Sequence, residues 1–169
     1  MDEITDVIGA IKTAIQMEKD GYAFYKRAAA QTSNDMAKTM FESIANDERT
    51  HLDVFQKLFD DKVGNDEWDA LVMSSKKYDT IPLFPKDLKE MNDVNPDPNE
   101  LDALRIAMDN EQSAIDHYTK IIDASSSSDV KQIIEKIIEQ EKNHYLILQG
   151  EFTHLSSTGY WYELDYLGG

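Results

Sequence analysis

Glu48-Arg49-Thr50-His51 and Glu141-Lys142-Asn143-His144 are the two stretches on which the rest of the chain turns. Thirty residues before each stands another glutamate, Glu18 and Glu111. A shift of 93 residues carries the first set onto the second. It also carries apolar residues onto apolar residues: Ile8 onto Leu101, Ile11 onto Leu104, Tyr25 onto Tyr118, Ile44 onto Ile137 and Phe59 onto Phe152. The chain therefore reads as an internal repeat of two helical hairpins.

Each half has the period of buried helices. Ile8, Ile11, Ile15, Tyr22, Tyr25 and Ala29 recur at steps of three and four, and Glu18 fills the gap in their series. Thr5 or Asp6 is the expected cap of this helix, and Ser33 or Asn34 that of the next. The second helix carries Ala37, Phe41, Ile44, Glu48, His51, Phe55 and Phe59 on one stripe. The third opens at Asn99, with Leu104, Met108, Glu111, Ile115 and Tyr118 inward. The fourth follows a break at Ser125–Ser128, with Ser128-Asp129 as its capping region and Ile137, Glu141, His144 and Leu148 inward.

An inward carboxylate is costly to desolvate, so it takes a proton or meets a cation. A single Glu-x-x-His is weak evidence, because most such pairs lie on a surface one turn apart. Four inward glutamates and two histidines at matching depth in four helices are a different matter. They make up the ligand set of a two-metal carboxylate site in a bundle. The expected ligands are Glu18, Glu48, His51, Glu111, Glu141 and His144. Glu48 and Glu141, each paired with a histidine, are the expected bridges, and Glu18 and Glu111 the terminal carboxylates. Oxygen and imidazole ligands suit two iron ions, or manganese. Six side chains for two metals leave positions for water, peroxide or oxygen. Gly21 leaves room beside a carboxylate. Tyr25 and Tyr118 are candidates to hydrogen-bond the ligands or pack beside them, with Tyr22 a further one nearer the metals. His117 falls beside the stripe and reads as a boundary residue, and His154 has no counterpart in the repeat.

Residues from about 62 to 99, with Pro82, Pro85, Pro96 and Pro98, are too many for a simple loop. If the second and third helices run parallel, the chain must cross the length of the bundle between them. Trp68 and Phe84 in this segment read as packing anchors. The expected fold is an all-α four-helix bundle over residues 1–155 with one long crossover. A C-terminal tail, 156–169, is dense in aromatic residues and is expected to pack on the bundle or on a partner subunit.

A chain of 169 residues suits one domain. Its net charge of -16 opposes binding to nucleic acid or to an anionic membrane. With no cysteine, disulfides, thiolate zinc sites and iron–sulfur clusters are excluded. No apolar run is long enough to span a bilayer. The acidic start, Met1 to Asp6, lacks the pattern of a signal peptide, and a cytoplasmic protein is expected.

Ile15-Gln16-Met17-Glu18-Lys19-Asp20-Gly21-Tyr22, Ile44-Ala45-Asn46-Asp47-Glu48-Arg49-Thr50-His51, Ala107-Met108-Asp109-Asn110-Glu111 and Glu139-Gln140-Glu141-Lys142-Asn143-His144 together resemble the rubrerythrin family of ferritin-like di-iron proteins. The resemblance covers both hairpins. It implies a di-iron centre on the six residues named above, reacting with hydrogen peroxide or oxygen. Two departures stand out. Rubrerythrins typically carry a rubredoxin-like domain with four cysteines, absent here, so electrons would come from a separate donor protein. They also place an additional glutamate one turn beyond the third-helix glutamate, where this chain has Ala114. The readings that follow are a peroxide- or oxygen-reactive di-iron oxidoreductase, an iron-storage protein with ferroxidase chemistry, or a metal-stabilised interaction bundle. A homodimer is the expected assembly.

Overall fold

Four long amphipathic segments become four helices in the computed structural model, which describes residues 3–63 and 99–161. They are α1 (Glu3–Gln31), α2 (Asp35–Val63), α3 (Asn99–Ala124) and α4 (Ser128–Thr158). Among the described residues there is no strand.

The helix ends follow local side-chain chemistry. α1 begins at Glu3, so Thr5 and Asp6, the expected caps, lie within its bounds. Asn34 caps α2, its Oδ1 accepting from the Ala37 amide at 2.9 Å. The cap of α4 is Ser127, one residue earlier than expected, its hydroxyl accepting from the Val130 amide. α4 also runs further than expected, through Ser156, Ser157 and Thr158. The hydroxyls of Ser157 and Thr158 bond back to Thr153 O and His154 O within the helix, at 2.7 and 2.8 Å, which keeps them compatible with it. Gly159 then ends it with φ 75°, its amide donating to Leu155 O at 2.8 Å.

Two apolar clusters fill the bundle, one toward each end. One holds Ile8, Ile11, Ile15, Phe55, Phe59, Tyr118, Ile121, Ile134 and Ile137. The other holds Phe24, Tyr25, Phe41, Ile44, Leu104, Ala107, Leu148 and Leu155. α1 and α4 pass from the first cluster to the second; α2 and α3 pass from the second to the first. Hence α2 and α3 are parallel, and Val63 and Asn99 lie at opposite ends of the bundle. A 29-residue helix such as α2 spans about 40 Å, the distance a crossover must cover. The crossover itself, with Trp68 and Phe84, lies outside the described residues.

Each large side chain buried in these clusters contributes about 1.5–3 kcal/mol. That gain is what allows a layer of ionisable groups between them. Of the C-terminal tail, Trp161 packs edge-on against Phe41 and donates its indole N–H to Glu100 at 3.0 Å. Glu100 also accepts from Thr32 at the α1 end. The tail beyond Trp161 lies outside the described residues.

Candidate metal centre

The layer between the two clusters consists of the six residues predicted as ligands. Each helix supplies its part where the apolar stripe is interrupted: Glu18 from α1, Glu48 and His51 from α2, Glu111 from α3, Glu141 and His144 from α4. All are between 1% and 6% exposed. They form two overlapping groups, Glu18–Glu48–His51–Glu141 and Glu48–Glu111–Glu141–His144. Within each, one ligand atom per residue lies within 4.8 Å of all the others. Glu48 and Glu141 belong to both groups.

These atoms converge but only partly satisfy one another: His144 Nδ1 meets Glu141 Oε2 at 3.1 Å. His51 Nδ1 is 2.9 Å from Glu141 and 3.5 Å from Glu18. Yet Glu18 Oε2, Glu48 Oε1, His51 Nδ1 and Glu141 Oε1 are buried with no hydrogen-bond partner. Groups that approach so closely but miss hydrogen-bond geometry are aimed at common points rather than at each other. Unpaired buried polar atoms cost about 1–3 kcal/mol each, and cations between them would remove that cost. The donor chemistry, carboxylate oxygen and imidazole nitrogen, fits iron or manganese.

Neighbouring side chains hold four of the six candidate ligands in place. Tyr25, in the aromatic cluster, donates its hydroxyl to Glu111. Tyr118, in the opposite cluster, donates to Glu18. Both tyrosines are pushed well above their ordinary pKa by burial and by the nearby carboxylates, so they remain donors. The two bonds are related by the repeat and cross between α1 and α3. Tyr22, by contrast, is half-buried against the aromatic cluster, and among the described residues it makes no hydrogen bond to the ligands.

The histidines turn Nδ1 inward and Nε2 outward. His144 Nε2 meets Asp47 Oδ2 at 2.9 Å, and His51 Nε2 meets Gln140 Oε1 at 2.5 Å. Partners of this kind orient metal-binding imidazoles and set their tautomer. Asp47 and Gln140 are functional candidates that the apolar stripe does not reveal, because both sit off it. Their one signal in the sequence is that the 93-residue shift carries Asp47 onto Gln140.

Gly21 explains how close the layer is packed. A Cβ there would lie 2.5 Å from Glu48 Oε2, so the carboxylate of α2 rests against the backbone of α1. His117 is elsewhere, its Nε2 bonded to Ala10 O at 2.8 Å and tying α3 to α1. His154 is also outside both groups.

Crowding of acids in a buried layer shifts their protonation. Desolvation, then the charge of Glu141, pushes Glu18 up to about 7. Glu48, Glu111 and Glu141 are raised as well, again chiefly by burial. Burial alone would lower the histidines, but the Glu141 and Glu18 carboxylates close beside it push His51 up to about 11. His144 is raised too: burial would lower it, but the contacts with Asp47, Glu111, Glu141 and Glu48 together outweigh burial. A cation held by these groups would displace the protons they carry.

The rubrerythrin family model matches residues 10–152, which includes all six residues of the cluster. A protein of Thermotoga maritima, provisionally described as a ferritin-like diiron-carboxylate protein, is 25% identical and superposes with a TM-score of 0.64. The match covers 93% of this chain and 96% of that one. A hypothetical protein from Pyrococcus furiosus shares the fold at 20% identity, with a TM-score of 0.63 and 91% and 90% of the two chains covered. No curated protein matches the chain. The four-helix bundle is thus the ferritin-like one. Among the described residues, no helix is long and apolar enough to cross a membrane.

Proposed function

This chain belongs to the rubrerythrin family, and on that premise we propose that it is a di-iron oxidoreductase that reduces hydrogen peroxide, or reacts with oxygen, using electrons from a separate donor protein. The observation that carries this reading is the pair of overlapping ligand groups sharing Glu48 and Glu141. Glu18 and His51 would complete one metal position, Glu111 and His144 the other, with Glu48 and Glu141 between them. Two ferrous ions, when bound, supply the two electrons that turn one peroxide and two protons into two waters.

The chain's own residues do the rest. Tyr25 and Tyr118 hold the terminal carboxylates from opposite ends. The two apolar clusters keep water out along the bundle axis. The side of the cluster facing solvent is the histidine edge, where Asp47 is half-exposed and Gln140 exposed. With no cysteine in the chain, electrons for a further turnover come from another molecule.

The test is anaerobic loading with ferrous iron, followed by peroxide or oxygen. Two irons per chain, a coupled pair in the Mössbauer spectrum, and one peroxide consumed per pair are expected. Loaded protein inert to both oxidants would end the oxidoreductase reading. Oxygen-driven uptake well beyond two irons per chain would replace it with storage.

A further inference from the structure

The repeat makes the ligand layer nearly symmetric, and the contacts behind the histidines are one place where it stops being so. Glu18 and Glu111, Glu48 and Glu141, His51 and His144, and Tyr25 and Tyr118 are all like paired with like. Asp47 and Gln140 also occupy equivalent positions, each reaching the histidine of the other hairpin. One is a carboxylate and the other an amide. We propose that Asp47 and Gln140 are positioning residues that make the two metal positions unequal, so that the position held by His144 takes the first ion. The inference rests on the two-metal reading given above.

The reason is the difference in what the two side chains can accept and donate. A carboxylate only accepts, so Asp47 requires a proton on His144 Nε2. In the neutral ring that leaves the Nδ1 lone pair facing Glu48, Glu111 and Glu141, 3.1 to 3.7 Å away. An amide carries both an acceptor and donors. With Gln140 Oε1 on His51 Nε2, the His51 ring is likewise ready. If the exposed amide turns over, its NH₂ takes the Nε2 lone pair, and the ring proton moves to Nδ1, the nitrogen facing the metal. His144 is thus locked as a ligand, whereas His51 is a ligand only in one of two amide orientations. The carboxylate also makes its imidazole the more basic donor. The side chain of Asp47 is 51% exposed, which weakens its charge but not its role as an obligate acceptor.

Outer partners of metal-bound histidines are worth roughly 10–100-fold in affinity, and exchange of one acceptor for another belongs at the lower end. With one equivalent of Co(II) per chain, anomalous diffraction should find the His144 position fuller by about ten-fold. Asp47→Asn keeps the shape but gives His144 a partner that can turn; the ratio should fall toward one. Gln140→Glu gives His51 an obligate acceptor too, so at one equivalent ion should shift from the His144 to the His51 position and the ratio should again fall toward one. Equal filling in the unmodified chain, or a fuller His51 position, overturns the inference, as does an unchanged ratio in either variant. Two ions bound at saturation with equal filling at one equivalent would remove this inference and leave the two-metal reading standing. Fewer than two ions at saturation would remove both.

Discussion

Gly21→Ala should separate the stability of the bundle from its capacity for metal. An alanine favours a helix interior by about 0.8–1 kcal/mol over glycine. Its Cβ, however, would stand 2.5 Å from Glu48 Oε2. Ordinary contact begins at 3.4 Å, so the carboxylate must retreat by about 0.9 Å. In the metal-free chain this is cheap. The carboxylate is the end of a flexible side chain, its Oε1 has no hydrogen bond to lose, and an off-rotamer torsion costs about 0.5–1.5 kcal/mol. Gain and loss nearly cancel, and in a domain of this size about 1 kcal/mol moves the melting temperature by only about 2–4 °C.

With metal bound the balance changes. Metal–ligand distances tolerate about 0.2 Å, far less than the retreat the methyl group demands. Glu48 belongs to both ligand groups, so both positions should suffer. The loss should exceed the roughly 100-fold reached when a mere outer partner is removed. Calorimetric titration with Co(II), and thermal melts with and without it, measure both effects. Gly150→Ala is the internal control. It is also a helical glycine, but an added Cβ there meets nothing within 4 Å. It should stabilise the helix and leave metal binding alone. If Gly21→Ala binds two Co(II) ions as tightly as the unmodified chain and melts like Gly150→Ala in both conditions, the packing of Glu48 on α1 has no bearing on the centre.

Three further outcomes are expected. Glu18→Ala should lose the ion on the His51 side and keep the other, Glu111→Ala the reverse, and Glu141→Ala should lose both; metal stoichiometry with anomalous diffraction checks this, and loss of the same ion from Glu18→Ala and Glu111→Ala would contradict it. Tyr118→Phe removes a buried bond to a carboxylate, worth about 1.5–3 kcal/mol, and should lower the melting temperature by several degrees; no change would mean that Glu18 needs no such anchor. The metal-free bundle should weaken between pH 5 and 8. Glu18 holds its proton to about 7 when folded, against 4.5 as its ordinary value, so the stability present below the lower value is lost as pH rises through the higher. His51, raised from 6.5 to about 11, has the same sign and carries the loss further upward. Denaturant titrations of chelated protein across this range test the point, and stability rising with pH would refute it.

Helix count, the parallel relation of α2 and α3 and the convergence of the six candidate residues were all legible in the sequence, for one physical reason. A carboxylate on an apolar stripe must be inside, and four of them at matching depth must meet. Helix ends were less legible. Ser156, Ser157 and Thr158 read as a break because such residues compete with the backbone, but inside a helix the same hydroxyls can bond to the preceding turn and do no harm.

What periodicity could not supply was which helix each side chain would touch. It fixes the depth and face of a residue on its own helix, not the neighbour across the gap. Along α2, Asp47 stands four residues before His51, the spacing of neighbours on one helix face; it bonds instead to His144 of α4. Tyr25 and Tyr118 likewise pass over the glutamates of their own helices and hold those of the opposite hairpin. Gly21 makes the same point at closest range. Its missing side chain leaves room beside a carboxylate, as its position suggests, but the carboxylate belongs to the next helix. The repeat fixes the composition of the centre, and contacts between hairpins fix its geometry. Substitutions at Gly21, Asp47 or Gln140, none of them a proposed ligand, are therefore the ones that should change how the metals bind while all six ligands remain in place.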